Sequence, residues 1–257
     1  MYKIKKYIFV FFVSLLPSYH IVLAQTSELI LHARQLESIF KDQEALFKYL
    51  EVLKTAPQNL ESICKISELY SLLGKRQKTS QLQESYYNKS YEFAKLAFKL
   101  DPNNAEANFV MSISMGRMAL IKSGQEKIQA VKDIKLYADR SVRLDPMNYK
   151  PYHVLGKWHY EVSSLSSFEK WLVKLTYGAL PESSFEEAIK YYEKSRSLKP
   201  NLLINYVELA KTYMELNNKQ KALSYLKAIS QLPNSASDDY IVRLEAKKLL
   251  QKIESID

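Results

Sequence analysis

Leu198-Lys199-Pro200-Asn201, followed by Tyr206, Leu209, Ala210 and Tyr213 at helical spacing, is the stretch that decides the fold. A helix-like run stops at a proline, asparagine follows, and a second amphipathic run begins. The same stop recurs at Ala56-Pro57-Gln58-Asn59, Leu100-Asp101-Pro102-Asn103, Leu144-Asp145-Pro146-Met147-Asn148 and Leu232-Pro233-Asn234. Proline ends a helix because it has no N–H to donate and its ring clashes with the preceding turn. Asparagine beside it suits a turn or the cap of the next helix. Ahead of three of these prolines, Ala45-Tyr49-Val52, Ala94-Ala97 and Ala188-Tyr192 mark apolar faces at i, i+3/i+4 spacing. A recurring stop of this kind marks a helical repeat array. Function is then expected on an extended surface, not in a catalytic pocket.

The register matches the tetratricopeptide pattern: a bulky residue at position 4, Leu at 7, a small residue at 8, an aromatic at 11 and Pro at 32 of a unit of about 34 residues. With each proline as position 32, the following unit offers Ile63, Ile66, Ser67 and Tyr70 after Pro57. It offers Asn108, Met111, Ser112 and Met115 after Pro102, a weaker fit. After Pro146 it offers Tyr152, Leu155, Gly156 and His159. Position 8 stays small because the two helices of a unit cross closely there. Gly156 and Ala210 are therefore expected at tight crossings, and His159 is expected as a packed core histidine.

Prolines 57, 102, 146, 200 and 233 lie 45, 44, 54 and 33 residues apart. The first two intervals predict longer helices or polar turns over Gln77–Asn88 and Ser123–Lys132. The third predicts an insert over Ser163–Glu182, where Leu165, Phe168, Leu172 and Leu175 fall at helical spacing beside Trp171 and Tyr177. Gly178 and Pro181 end it. Phe168, Leu172 and Leu175 are expected to pack on the repeat carrying Trp158, with Trp158 and Tyr160 against the inserted helix. Trp171 is either a core anchor or an exposed partner contact. The fold class expected is all-α, a right-handed solenoid of about four helix pairs. An N-terminal helix (about Glu28–Ile39) and a C-terminal cap (about Asp238–Ile253) would shield its ends.

Leu155-Gly156-Lys157-Trp158-His159-Tyr160-Glu161-Val162-Ser163-Ser164-Leu165-Ser166, then Phe168-Glu169-Lys170, Tyr177-Gly178 and Phe185-Glu186-Glu187-Ala188, resembles the regulator of microtubule dynamics family. Met115-Gly116-Arg117-Met118 and Lys127-Ile128 also match its segments. The likeness covers about residues 45–233, with Lys157 where the family has Arg and His159 where Cys is common. It implies a tetratricopeptide-like fold. Eukaryotic members are described as associated with microtubules and organelle contacts.

The N-terminus directs the expectation elsewhere. Lys3, Lys5 and Lys6 precede the apolar run Tyr7–Leu16, a break at Pro17-Ser18-Tyr19-His20, and Val22-Leu23-Ala24 before Gln25. This is the tripartite pattern of a secretory signal. Residues 1–24 are expected as a signal peptide cleaved near Ala24 and residues 25–257 as a single repeat domain, secreted or periplasmic, from a bacterial family member. The alternative is a membrane anchor over residues 4–24, just long enough to span a bilayer. An exported chain would not meet tubulin, so the fold is carried forward and the microtubule role is not.

Composition narrows the chemistry. The net charge is +9 over 257 residues, but lysines and glutamates are interspersed, without the clustered stripe that nucleic acid needs. The single Cys64 permits neither an internal disulfide nor a multi-cysteine metal site. No phosphate-binding glycine loop, His-Glu-x-x-His, Gly-x-Ser-x-Gly or Cys-x-x-Cys occurs. The reading is of a non-enzymatic chain without cofactor, metal, nucleic-acid partner or small-molecule substrate.

Groove-facing positions of the first helices give the candidate binding residues: Phe109, Arg117, His153, Lys157, Tyr160, Lys211 and Met214, with Phe168 and Trp171 in the insert. Arg117, Lys157 and Lys211 can pair with acidic groups of a peptide. Phe109, Tyr160 and Met214 offer apolar contacts. The asparagine–lysine clamp for chain-end carboxylates is missing, because position 6 holds Lys65, Val110, Val154 and Glu208. The function expected is a protein- or peptide-binding scaffold of the cell envelope, working through its concave face. The alternative is a membrane-anchored organiser.

Overall fold

The computed structural model describes residues 25–255, which form twelve α-helices and one 3-10 turn with no strand. The segment read as an export signal lies outside the described residues. Helix α1 (25–38) and α2 (Asp42–Thr55) form the first antiparallel pair. Four further pairs follow: α3 (Leu60–Lys75) with α4 (Ser80–Leu100), α5 (Ala105–Ile121) with α6 (Gly124–Leu144), α7 (Tyr149–Ser163) with α9 (Phe185–Leu198), and α10 (Leu203–Glu215) with α11 (Lys219–Ala228). Helix α12 (Asp239–Glu254) packs on α10 and α11 and caps the stack. The inserted α8 (Ser167–Tyr177) lies between α7 and α9 in the chain.

The proline stops act through two local devices. Two residues after three of the prolines, an asparagine caps the next helix. Asn59 accepts from the Ser62 amide at 2.8 Å, Asn104 from Ala107 at 3.0 Å and Asn148 from Lys150 at 3.1 Å. Each satisfies an amide that the first turn leaves without a partner. After Pro200 the cap is Leu202, without a side-chain bond. The second device ties position 4 back to the turn. Tyr152 donates to the Pro146 carbonyl at 3.2 Å and Tyr206 to the Pro200 carbonyl at 2.7 Å. Asn108 donates to the Pro102 carbonyl at 2.9 Å. The same tie is thus present in the repeat whose sequence fits the pattern least well.

Position 8 is tight as expected. Ser67 and Ser90 exchange hydroxyl–carbonyl bonds of 2.8 and 2.9 Å where α3 crosses α4, and both are fully buried. Gly156 lies against the ring of the fully buried Tyr192, and Ala210 is fully buried in the C-terminal core. His159 is buried, stacked on Tyr191 at 5.3 Å and edge-on to Trp158 at 5.0 Å. The longer proline intervals lengthen the second helices, since α4 and α6 run 21 residues each.

The insert departs from expectation. It is helical, opened by a capping box between Ser166 and Glu169 and closed at Gly178, whose φ of 79° suits glycine. Yet Phe168 is 67% exposed, Leu172 46% and Leu175 69%, so these side chains do not pack on the repeat carrying Trp158. Trp158 instead buries against α6, its Nε1 donating to the Val131 carbonyl at 2.7 Å. Tyr160 meets Phe185 at the start of α9, not the insert. Helix α7 packs mainly against α6 and α9. The insert reaches the stack at α6, where the Lys132 ammonium donates to the Tyr177 carbonyl at 3.2 Å.

A contact across the ends shapes the concave side. Arg76, just past α3, donates to Asp238 at 2.7 Å and pairs with Asp42 at 2.8 Å. The Ser237 hydroxyl donates to Asp42 at 2.6 Å. The residues leading into the last helix are thereby tied to the second and third helices, more than 160 positions away.

Candidate functional site

The concave face is built from α3, α5, α7 and α10, which pack in succession. Its charged side chains form two chains of ion pairs. In the first, Lys65 pairs with Glu37 at 2.8 Å and Lys150 pairs with Glu68 at 2.9 Å, with Glu106 3.8 Å from Lys150. Burial would lift the Glu68 carboxyl, but Lys150 and Lys65 hold it below the ordinary carboxylate range. Phe109 lies beneath this network, buried, with the Lys150 ammonium 5.0 Å from its ring centroid. It supports the groove floor and does not project as an apolar contact.

The second chain centres on Glu208, which is almost fully buried. Lys157 pairs with it at 3.1 Å and with Glu161 at 2.9 Å. Lys211 pairs with it at 3.4 Å and with Glu245 of the cap helix. Burial opposes ionisation of Glu208, yet the two lysines keep its carboxyl below the usual range. Two of the three candidate cations are therefore already matched by carboxylates of the chain. His153 bonds through Nδ1 to Asn205 Oδ1 at 2.5 Å, and burial depresses its proton affinity. Met214 packs half-buried against the C-terminal core.

Arg117 differs. Its Nε donates to the Ser71 hydroxyl at 2.8 Å, and its guanidinium carbon sits 5.6 Å from the Tyr87 ring centroid. No carboxylate pairs with it among the described residues. Burial lowers its proton affinity, and Lys75 is lowered too, first by burial and then by the charge of Arg117.

Arg117 lies on α5, His153, Lys157 and Tyr160 on α7 and Lys211 on α10, while Phe168 and Trp171 lie apart on α8. Trp171 is 55% exposed and stacks on Phe168 with centroids 5.9 Å apart. With Leu172 and Leu175 these rings form an apolar stripe open to solvent. Glu68, Ser71, Lys75 and Glu208 were missed as groove residues. Glu68 directly follows Ser67 at the tight crossing, so the repeat register could have supplied it. The Arg76 clasp has no local signal in the sequence. Cys64 is buried, its thiol pushed up to about 12 by burial, which leaves little nucleophilic thiolate.

Comparison with known proteins agrees with this architecture. A family model described as regulator of microtubule dynamics protein 1-3 matches residues 29–254. Regulator of microtubule dynamics protein 1 of Bos taurus is 27% identical over 161 residues, covering 62% of this chain and 51% of the relative. Regulator of microtubule dynamics protein 2 of Macaca fascicularis is 27% identical over 195 residues, covering 76% and 47%. The chain thus spans about half the length of the curated relatives it matches. Among solved structures, a thermophilic TPR protein of Thermus thermophilus superposes with a TM-score of 0.65 at 14% identity, covering 88% of this chain and 99% of that one. The pilF protein of Pseudomonas aeruginosa gives 0.54 at 12% identity, covering 91% and 89%. Both superpositions show the tetratricopeptide-like fold.

Proposed function

This chain belongs to the regulator of microtubule dynamics family, and on that premise we propose that it is a scaffold binding a protein or peptide through its concave face. The observation that carries the proposal is the run of stacked first helices α3, α5, α7 and α10, whose polar side chains line one continuous surface. Repeat arrays present such surfaces because each unit contacts only its neighbours and leaves one face free along its length. Photo-crosslinking tests it. A benzophenone amino acid in place of Tyr160 should capture a partner from the native source. The same probe at Leu136, exposed on the outer helix α6, should not. Capture from Leu136 alone would refute the groove.

The proposal extends to export through residues 1–24, motivated by the charged start, the apolar Tyr7–Leu16 run and Val22-Leu23-Ala24. A mature N-terminus at Gln25, read by intact mass, supports a secreted or periplasmic scaffold. An intact N-terminus in the membrane fraction supports the anchored organiser instead.

A further inference from the structure

We propose that Arg117 forms a subsite for a single carboxylate of a bound peptide. The inference rests on the concave-face reading and adds the chemistry of what is held there. A guanidinium carries five N–H donors in a planar fork that matches a carboxylate. In Arg117 only Nε is used, on the neutral Ser71 hydroxyl, and the Nη groups have no partner among the described residues. Arg117 is half-buried, and a cation partly withdrawn from water gains from an acid partner. Every other groove cation named above follows that rule: Lys65, Lys150, Lys157 and Lys211 each meet a carboxylate within 4 Å.

The neighbouring charges are paired among themselves. Lys75 feels the charge of Arg117, and the acids beside Lys75 and its neighbour Arg76 are Asp238 and Asp42. Arg76 engages both acids at close range, while Lys75 reaches only Asp238, at 3.8 Å. Both acids are thus engaged by Lys75 and Arg76, and the Arg117 guanidinium is left without one. One carboxylate would match that single guanidinium. The Tyr87 ring beside the guanidinium supplies an apolar wall that strengthens the pairing by limiting water.

Two fluorescein-labelled probes test this by anisotropy: hexaglutamate with an amidated C-terminus and hexaglutamine with a free one. The first offers side-chain carboxylates, the second only the chain end. Either probe should bind the wild-type chain, and Arg117→Gln should weaken that binding at least about tenfold, the loss expected for one charge-assisted bidentate contact. Lys190→Gln, at an exposed site on α9, should leave it unchanged. Arg117→Lys should recover only part, because it restores charge without the fork. Equal loss in Lys190→Gln and Arg117→Gln would overturn the subsite and reveal general charge attraction. Binding that survives Arg117→Gln would do the same, as would failure of both probes to bind. Crosslinking from Tyr160 that survives Arg117→Gln would overturn the subsite while the groove stands. Arg117→Gln leaves no internal acid without its partner, so the chain should fold, which an unchanged far-ultraviolet spectrum verifies.

Discussion

Replacing Gly156 by alanine, with Gly116→Ala as its control, isolates the energetics of a single tight helix crossing. Both glycines lie within first helices, Gly116 in α5 and Gly156 in α7. Each gains the same intrinsic helix preference from alanine, about 0.8–1.0 kcal/mol. Their surroundings differ. A Cβ on Gly116 would find its nearest neighbour, Ile134 Cδ1, at 4.0 Å. A Cβ on Gly156 would fall 2.6, 2.7 and 2.8 Å from Cδ1, Cε1 and Cγ of Tyr192. That ring cannot swing away easily: it is fully buried, its hydroxyl lies 3.4 Å from Glu208, and His153 packs against it at 5.6 Å. Overpacking of this kind costs about 1–3 kcal/mol. Because the preference for helix cancels between the two variants, the whole overpacking cost appears as their difference. For a domain of this size it corresponds to a gap of about 2–12 °C in Tm. Gly116→Ala should melt above the wild type and Gly156→Ala below Gly116→Ala by that gap. Calorimetry on all three proteins reads it. Equal midpoints for the two variants would refute the crossing and with it the position 8 register.

Three further outcomes follow from particular side chains. Trp171→Ala should leave the thermal midpoint nearly unchanged, since the ring is more than half exposed. If the α8 stripe takes part in binding, partner capture should fall in the same variant, because tryptophan is favoured at binding hot spots. A drop in midpoint like that of a buried aromatic would contradict the open stripe. Acidification should destabilise the fold below about pH 6.5. Burial holds the His153 and His159 imidazoles below their ordinary range, and neither ring nitrogen of His159 has a partner. The unfolded chain therefore takes up these protons first, and stability present above that pH is lost as it falls, by up to about 1.4 kcal/mol per unit for each histidine. His159→Phe should flatten that slope in denaturant titrations between about pH 5 and 6.5. Arg76→Gln should cost about 1–2 kcal/mol, because it leaves two partly buried carboxylates without their main cation. It should also speed amide exchange at the start of α12; unchanged exchange there would show that the clasp does not hold the cap.

The ion-pair pattern of the concave face changes how a partner's charge should be imagined. Candidate cations on a repeat array invite the picture of a basic groove. Here Lys157 and Lys211 both turn to Glu208, a residue at the position where a carboxylate clamp would carry asparagine. An acidic ligand at that point would have to displace an internal acid that is nearly buried. Arg117 makes no such demand. Among the candidate cations, Arg117 is the one whose guanidinium has no carboxylate partner among the described residues.

The sequence by itself determined the helices, their ends and their close crossings. Pro57, Pro102, Pro146 and Pro200 stop helices by what they lack, Asn59, Asn104 and Asn148 cap the next ones, and Gly156 and Ser67 mark where two backbones approach. These effects act within a turn or between adjacent helices, so they leave a periodic trace. Membership of the family was legible for the same reason, in the run from Leu155 to Ser166 and the insert that follows. Only the tertiary structure decided which groove charges are matched. Lys150 meets Glu68 from 82 positions away and Lys157 meets Glu208 from 51, distances set by how the helices stack and carrying no period in the chain. The same holds for the clasp joining residues 76 and 238. The insert shows the limit most plainly: its apolar stripe was read correctly as a helix face and wrongly as a buried one. A hydrophobic pattern states which side of a helix avoids water, but a neighbour must lie over that side to cover it, and in α8 Phe168, Trp171, Leu172 and Leu175 stay exposed.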